Sequence, residues 1–213
     1  MKSPKKILIA NRGVIAIRAL RAAKELGYQV ASVYSTIDKD QKHLKLSDEA
    51  ICIGPAAAKD SYLNEAAIIS AAELVSADAI YPGYGFLAEN SSFAEKCNQS
   101  GFKFVGPDPK VIAIMGDKIK AKELVESLGV PIVPGYTGRI EFKEQVEKIT
   151  DDIGYPVIVK ASAGGGGKGM RVVLEKEELW DSVVSAQNEA RLAFDNDEVF
   201  IEKYLQKPRH IEV

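Results

Sequence analysis

Apolar and polar positions in the first part of the chain follow two patterns that alternate. Short apolar runs typical of buried strands are separated by longer stretches in which apolar residues recur with helical spacing. Strands are predicted at residues 6–10, 31–34, 79–81 and 103–105, and helices at 16–26, 63–74 and 93–99. Repeated strand-helix alternation favours right-handed crossovers and a mostly parallel open sheet. We therefore predict a Rossmann-like α/β domain over residues 1–107.

The pattern changes at Gly106-Pro107 and Asp108-Pro109, which interrupt the alternation. A helical stretch at 111–128 leads into a Pro- and Gly-rich connection at 131–138, so residues 108–138 are expected to form a helical linker. Beyond it, helices are predicted at 142–153 and 177–194, and strands at 156–160, 170–174 and 199–204. We expect a small α+β lid domain over residues 139–204, with residues 205–213 beginning a further region.

The composition narrows the range of partners. The chain has 213 residues, and its 28 lysines and arginines nearly balance 30 aspartates and glutamates, for a net charge of −2. This balance gives no reason to expect nucleic acid or an anionic membrane as a partner. Cys52, Cys97 and the two histidines do not form the spacing of a metal site. The isolated cysteines fit reduced surroundings, and no apolar stretch is long enough to span a bilayer, so we expect a cytoplasmic protein without a zinc site.

A run of glycines, Gly164-Gly165-Gly166-Gly167-Lys168-Gly169, lies between two predicted strands. Glycines let the backbone approach a ligand closely and present free N–H groups to phosphate oxygens. The run is not a P-loop, because Gly169 follows Lys168 where Ser or Thr is required, and it is not a dinucleotide fingerprint, because a strand follows it. It predicts a hairpin flap over a nucleotide, and a hairpin tip without a ligand is the alternative.

Charged residues near this flap are candidates for nucleotide contacts. Lys160 ends an apolar strand and needs an anion or solvent, so either a phosphate or snorkelling at a strand end accounts for it. Lys118, Lys120 and Lys122 share one helix, and we expect one of them to be a ligand and the others to be solvated. Glu202 ends the last strand, where it is expected either to accept from an adenine amino group or to pair with a surface lysine.

Two further segments carry weaker signals. The loop at residues 82–90, which contains Gly83, follows a strand of the open sheet, where α/β proteins bind ligands. A tight turn explains this loop nearly as well. His210 and Glu212 alternate on one face of a predicted next strand, and solvated polar residues at a sheet edge are the simplest interpretation.

Taken together, these segments resemble biotin carboxylase, the ATP-grasp component of biotin-dependent carboxylases. The resemblance runs in order over nearly the whole chain. It rests on Ile9-Ala10-Asn11-Arg12-Gly13, Pro82-Gly83-Tyr84-Gly85-Phe86-Leu87, Gly116-Asp117-Lys118, the run from Gly164 to Met170, and Glu202-Lys203-Tyr204-Leu205 followed by Pro208-Arg209-His210-Ile211-Glu212. It implies an enzyme that uses Mg-ATP to activate bicarbonate and then carboxylates N1 of biotin carried on a separate protein or domain.

The resemblance also implies roles for the matched residues. Lys118 and Lys160 would neutralise ATP phosphates, with Lys160 also reaching the adenine side. The glycines of the flap, with Lys168 and Met170, would close over the triphosphate. Glu202, the adjacent Lys203 and the Leu205 backbone would form the adenine side of the site, His210 would lie near the ribose and phosphates, and Gly83 near biotin or bicarbonate. Phosphoryl transfer depends mainly on such positioning and charge neutralisation.

The chain also departs from the family pattern. Val14 stands where Glu is common, Tyr81 stands where His is common, and Lys168 replaces a frequent Arg. In the family, the magnesium-binding glutamates, the general base and an arginine that steadies biotin lie in a later C-terminal region, outside these 213 residues. We therefore expect a truncated chain whose magnesium ligands come from that region and which does not complete the reaction alone.

Partners follow from the same resemblance. It implies a biotin carboxyl carrier protein or domain, a carboxyltransferase component, and a homodimer formed through the N-terminal domain. The helix that bears Arg18, Arg21 and Glu25 offers a charged face for such a dimer, and a solvated helix face explains these residues equally simply. Two alternatives remain open: another ATP-grasp ligase such as a carbamoyl phosphate synthetase, and a non-catalytic assembly module.

Overall fold

The computed structural model describes residues 5–136, 138–162, 170–194, 196–209 and 211. It divides into two compact units, Met1–Asp117 and Lys118–Val213. Each unit contains its own sheet.

The first unit is built on a five-stranded parallel sheet. Its strands are β1 (Lys6–Ile9), β2 (Gln29–Ser35), β3 (Glu49–Gly54), β4 (Ala79–Tyr81) and β5 (Lys103–Phe104), and they lie in the order β3-β2-β1-β4-β5. Its helices are α1 (Gly13–Glu25), α2 (Lys42–Leu46), α3 (Glu65–Leu74), α4 (Ser91–Gln99) and α5 (Pro109–Gly116). The predicted parallel α/β fold is confirmed.

Side chains alternate between the two faces of this sheet, and each face packs into its own hydrophobic cluster. Leu8 and Ile80 pack with apolar residues of α3, α4 and α5 on one face. Ile7 and Ile9 point to the other face and pack with the alanines and Leu20 of α1. The period of two along a strand therefore explains why helices cover both faces, as a parallel sheet requires.

The second unit is built on a four-stranded antiparallel sheet. Its elements are α6 (Lys118–Ser127), β6 (Gly135–Tyr136), α7 (Lys143–Ile153), β7 (Val157–Ala161), β8 (Met170–Val173), α8 (Leu179–Phe194) and β9 (Val199–Lys203), and its strand order is β6-β9-β7-β8. Val157, Val159 and Ile201 face α7 and α8 and form the core of the unit. The predicted α+β character of this region is confirmed.

Two short strands and one short α-helix were not predicted, and the predicted helical stretch at 111–128 is interrupted once. Strand β3 was missed although residues 50–53 are all apolar; it lies at the edge of its sheet, and only Ile53 is buried. Elements α2 and β6 are too short to show a period. The stretch 111–128 is two helices, because Asp117 takes an extended backbone (φ −98°, ψ 111°) between α5 and α6. Within the described residues, no helix combines the length and apolarity needed to cross a bilayer.

Candidate functional site

Two lysines converge on one carboxylate in the second unit. Lys160 near the end of β7 donates from Nζ to Glu202 Oε2 at 2.6 Å, and Lys122 of α6 donates from Nζ to Glu202 Oε1 at 3.0 Å. In the register of β7 and β9, Lys160 lies opposite Phe200 and Glu202 lies opposite Ile158. Lys160 and Glu202 therefore share the sheet face that points away from the core, on a diagonal that long side chains can span.

This lysine-glutamate cluster is largely shielded from solvent. The side chains of Glu202, Lys122 and Lys160 retain 15%, 16% and 30% of their full exposure. Burial acts to raise the pKa of Glu202, but hydrogen bonds from Lys160 and Lys122, reinforced by their charges, outweigh burial and lower the pKa below its usual value. With two ammonium groups on one ionised carboxylate, the cluster carries a net charge of about +1.

Gly135 makes room for the cluster. This residue pairs with Glu202 across β6 and β9. A Cβ atom at this position would lie 2.6 Å from the carbonyl oxygen of Ile201, 2.9 Å from Glu202 Cγ and 3.0 Å from Lys122 Nζ. Because a side chain does not fit there, glycine allows the edge strand and the Lys122 ammonium to approach Glu202 together.

The other predicted nucleotide residues lie around this cluster or outside the described residues. Met170 begins β8 opposite Lys160, and Leu205 follows β9 with about half of its surface exposed. Lys203 donates instead to the carbonyl oxygens of Gly154 and Tyr155, at 3.1 and 2.8 Å. Gly164, Gly165, Gly166, Gly167, Lys168, Gly169 and His210 lie outside the described residues. Lys118 begins α6, and its side chain also lies outside the described part.

Gly83 lies in the first unit, in the loop after β4. It has φ +72°, and a Cβ atom there would lie 2.9 Å from Ile15 Cγ1 and 3.0 Å from Asn11 Nδ2. The same Asn11 amide donates to the carbonyl oxygens of Pro82 and Tyr84 at 2.8 and 2.9 Å. This contact ties the loop to the carboxyl end of β1, next to the point where the strand order reverses, which is where open α/β sheets bind ligands.

We predict that Gly83→Ala lowers the unfolding free energy of the first unit by about 2 kcal/mol, because it combines left-handed strain with crowding of Ile15 and Asn11. Gly85→Ala is the matched control: Gly85 has a similar φ of +69°, but its Cβ atom would meet nothing within 4 Å. Urea unfolding followed by circular dichroism measures both variants. Equal losses in the two variants would show that close packing at Gly83 does not contribute.

A second polar network holds Arg12, which the sequence indicated only as part of a motif. Arg12 Nη1 lies 3.1 Å from Asp38 Oδ2, and the guanidinium carbon lies 5.3 Å from the ring centre of Tyr62 and 5.7 Å from that of Phe86. Asp38 also accepts from Ser35 Oγ and from the Tyr62 hydroxyl, each at 2.8 Å. Asp38 therefore connects the loops that follow β1 and β2. No sequence motif indicated a role for Asp38.

The network also fixes the protonation of its members. Burial acts to raise the pKa of Asp38, but the hydrogen bonds from Ser35, Tyr62 and Arg12, together with the Arg12 charge, lower it below its usual value. Burial, reinforced by the negative charge of Asp38, raises the pKa of Tyr62 to about 12. Asp38 is thus an ionised acceptor and Tyr62 a neutral donor at neutral pH.

Two of the departures from the family pattern have defined positions. Val14 is in the first turn of α1 with 78% exposure, and Tyr81 ends β4 and is half-buried.

Among the residues that the structure describes, no three His, Cys, Asp or Glu side chains come together as a metal site requires. The positive cluster at Glu202 is therefore suited to an anion rather than to a cation.

A parallel α/β unit is followed by an antiparallel unit whose lysine-glutamate cluster includes the strand that precedes the glycine run in the sequence. This combination is typical of an ATP-grasp carboxylase domain, and comparison with known proteins specifies the family. Residues 3–112, more than half of the chain, match the family "Biotin carboxylase, N-terminal domain". Residues 117–213 match "Carbamoyl-phosphate synthase L chain, ATP binding domain". The chain belongs to the biotin carboxylase family.

Individual relatives agree with this assignment. The chain is 54% identical over 209 residues to the biotin carboxylase of Haemophilus influenzae, which covers 98% of this chain and 47% of the relative. It is also 54% identical to biotin carboxylase 1 of Bacillus subtilis, over 98% of this chain and 46% of the relative. The chain thus spans about half the length of the curated relatives it matches.

Solved structures show the same fold. A biotin carboxylase complex with βγ-ATP from Campylobacter jejuni superposes with a TM-score of 0.86 at 51% identity, covering 97% of this chain and 46% of that one. The biotin carboxylase domain of 2-oxoglutarate carboxylase from Hydrogenobacter thermophilus, a dimer in complex with MgADP, ADP and bicarbonate, gives a TM-score of 0.82 at 47% identity, over 97% and 45% of the two chains. These similarities confirm the resemblance expected from the five motifs.

Proposed function

We propose that this chain forms the N-terminal, ATP-handling part of a biotin carboxylase. The observation that carries the proposal is the half-buried contact of Lys122 and Lys160 with Glu202. Lys160 lies in β7, the strand that precedes the glycine run in the sequence. The match of residues 117–213 to an ATP-binding domain supports it, as do the nucleotide complexes of two similar proteins. The reaction proposed for the whole protein is activation of bicarbonate with ATP, followed by carboxylation of N1 of biotin.

The residues of the cluster fit a nucleotide in charge and in hydrogen-bonding capacity. The excess positive charge of Lys160 and Lys122 over Glu202 suits phosphate oxygens. An ionised carboxylate has about four lone-pair positions, so Glu202 retains acceptor capacity for an adenine amino group after accepting from two lysines. We propose that Lys160 binds phosphate and that Glu202 and the Leu205 backbone bind adenine.

The remaining roles are proposed from the motif match. Lys118 adds positive charge toward the phosphates, Met170 and the glycine run with Lys168 cover them, and His210 and Lys203 contribute at the border of the nucleotide. Gly83 is proposed as a contact for biotin or bicarbonate. When bound, ATP would supply the phosphoryl group that activates bicarbonate, and these residues would position it and neutralise its charge. Magnesium is proposed as the accompanying ion, and the described residues contain no group of three His, Cys, Asp or Glu side chains that would hold it.

The proposed partners are a biotin carboxyl carrier and a carboxyltransferase, with a homodimer formed through the first unit and the cytoplasm as the compartment. Two similar proteins support the carboxylase partners and the dimer: the biotin carboxylase domain dimer of 2-oxoglutarate carboxylase, and the pyruvate carboxylase of Rhizobium etli. A carbamoyl phosphate synthetase is the second candidate, because the family matched by residues 117–213 carries that description. In a chain that spans the full length of the relatives, stimulation of ATP turnover by biotin favours the first candidate and stimulation by ammonia the second.

Calorimetric titration of the 213-residue chain with ADP and ATP, with and without Mg²⁺, tests the nucleotide site. We expect saturable binding that Lys160→Ala weakens by about tenfold or more, because the phosphates lose a charge-assisted contact. Lys143→Ala is the control, since Lys143 is an exposed lysine of the same unit that pairs with Glu147 at 3.8 Å. A folded chain that does not bind, or binding that Lys160→Ala leaves unchanged, would contradict the proposed site and favour an assembly role.

A further inference from the structure

Lys122 is a member of the lysine-glutamate cluster for which the sequence motifs give no role. It lies in α6, outside every motif on which the family resemblance rests, yet it donates to Glu202 at 3.0 Å with only 16% of its side chain exposed. Lys160, at 2.6 Å, binds the other oxygen of the same carboxylate. Both oxygens of Glu202 are therefore fixed, and the two contacts come from different secondary structure elements.

The two lysines differ in what else they are placed to contact. Lys160 is the last residue but one of β7 and precedes the glycine run by four residues in the sequence, and its Nζ lies 5.8 Å from the ring centre of Phe200. Lys122 projects from α6 into the space left by Gly135, where its Nζ would lie 3.0 Å from a Cβ atom at that position. Lys160 therefore borders the candidate phosphate region, while Lys122 is packed against the strand pair that carries Glu202.

A single lysine at this position would face a conflict of charge. Phosphate oxygens that attract the Lys160 ammonium reduce its interaction with Glu202, and a half-buried carboxylate without a partner is unfavourable. Loss of that partner also favours protonation, which would turn an acceptor oxygen of Glu202 into a donor. A second lysine that stays on Glu202 removes the conflict.

We propose that Lys122 is a positioning residue for nucleotide recognition: it keeps Glu202 oriented and ionised as an acceptor for the adenine amino group while Lys160 turns to the phosphates. This inference rests on the proposed nucleotide site. It assigns base selectivity to a pair of residues, Glu202 acting directly and Lys122 acting through it. It further implies that Lys122 has little effect on the affinity for a nucleotide whose base has no amino group to donate.

Base selectivity is therefore the measurement that separates positioning from simple structural support. Inosine diphosphate carries a carbonyl oxygen where adenosine diphosphate carries the amino group, so an acceptor carboxylate rejects it. We expect the wild-type chain to bind ADP more tightly than inosine diphosphate by on the order of tenfold or more. Lys122→Met is expected to lower this ratio by about threefold or more, mainly by weakening ADP binding.

A double-mutant cycle tests whether Lys122 acts through Glu202. Glu202→Gln is expected to lower the ratio at least as far as Lys122→Met does, and Lys122→Met added to Glu202→Gln is expected to change it by less than about twofold further. Lys143→Met is the matched control, because it removes an exposed lysine of the same unit away from the cluster. Circular dichroism of each variant checks that the fold is retained.

The outcomes distinguish this inference from the proposal on which it rests. If Lys160→Ala weakens ADP binding but Lys122→Met leaves the base ratio unchanged, the nucleotide site stands and the positioning role of Lys122 is wrong. Equal weakening of both nucleotides by Lys122→Met also overturns it, since that result indicates structural support or charge alone. A folded wild-type chain that binds neither nucleotide overturns both the inference and the proposed site.

Discussion

Asp38→Ala is expected to lower the unfolding free energy of the first unit by about 2 to 4 kcal/mol. The Asp38 side chain is buried and accepts from Ser35, Tyr62 and Arg12. Alanine leaves the buried Tyr62 hydroxyl and the Ser35 hydroxyl without this acceptor and Arg12 without its counter-ion. The loss is therefore larger than that of one surface ion pair, for which the usual value is about 1 kcal/mol or less.

Chemical denaturation followed by circular dichroism gives the change in stability, and hydrogen exchange of β1 and β2 peptides assigns it to the first unit. Asp40→Ala is the matched control, because Asp40 is an exposed aspartate two residues further along the same loop. Asp38→Asn retains the shape but removes the charge and places an amide donor among existing donors, so we expect an intermediate loss. A loss from Asp38→Ala no greater than that from Asp40→Ala would show that the network is not stabilising.

The pH dependence of stability follows from the same carboxylate. The hydrogen bonds lower the pKa of folded Asp38 below its unfolded value of about 3.9, so the native state binds fewer protons than the unfolded state in this range. The contribution of Asp38 is complete above about pH 4 and is lost as the pH falls through its folded pKa. The difference in stability between wild type and Asp38→Asn should therefore shrink in strong acid.

Much of the fold was predictable from local pattern. Strands such as β1, which is buried along most of its length, appear in the sequence as continuous apolar runs, and their parallel pairing follows from the intervening helices. Asn64 and Asn90 also act as typical N-caps, accepting from Ala67 and Phe93. Strand β3 was missed even though its residues 50–53 are apolar, because a run of four is too short to separate an edge strand from other structure by pattern alone.

The candidate site was predictable only in part, because its contacts depend on register. The sequence indicated Lys160 and Glu202 separately. For Lys160 it left a phosphate contact or a snorkelling strand end, and for Glu202 an adenine contact or a pair with a surface lysine. The pairing of strands β7 and β9 brings the two together, so Glu202 contacts a shielded lysine rather than a surface one, and its adenine contact stays a prediction. Lys122 lies 80 residues from Glu202 in sequence, and no local pattern reports a contact over that distance.

The role of Gly135 also depends on strand pairing and was not predictable from the sequence. Gly135→Ala is the second substitution for which we expect a large effect. Its Cβ atom would meet the Ile201 carbonyl oxygen at 2.6 Å, and a backbone atom cannot turn aside as a flexible side chain can. Either β6 separates from β9, with loss of the backbone bond from Lys203 to Pro134, or Glu202 and Lys122 are displaced. We expect a loss of about 3 kcal/mol in the second unit and weaker nucleotide binding.

Trp180, the single tryptophan of the chain, packs against the core of the second unit and is a natural fluorescence probe for this change. Gly129→Ala is the control in the same unit: a Cβ atom there would meet nothing within 4 Å, and its φ of +74° adds only left-handed strain, so a larger loss at Gly135 reports crowding. If Gly135→Ala leaves the urea midpoint unchanged but weakens ADP binding, β6 adapts and the crowding falls on Lys122 and Glu202. If Gly135→Ala changes neither the urea midpoint nor ADP binding, then the close approach of β6 to the cluster is needed neither for stability nor for nucleotide binding.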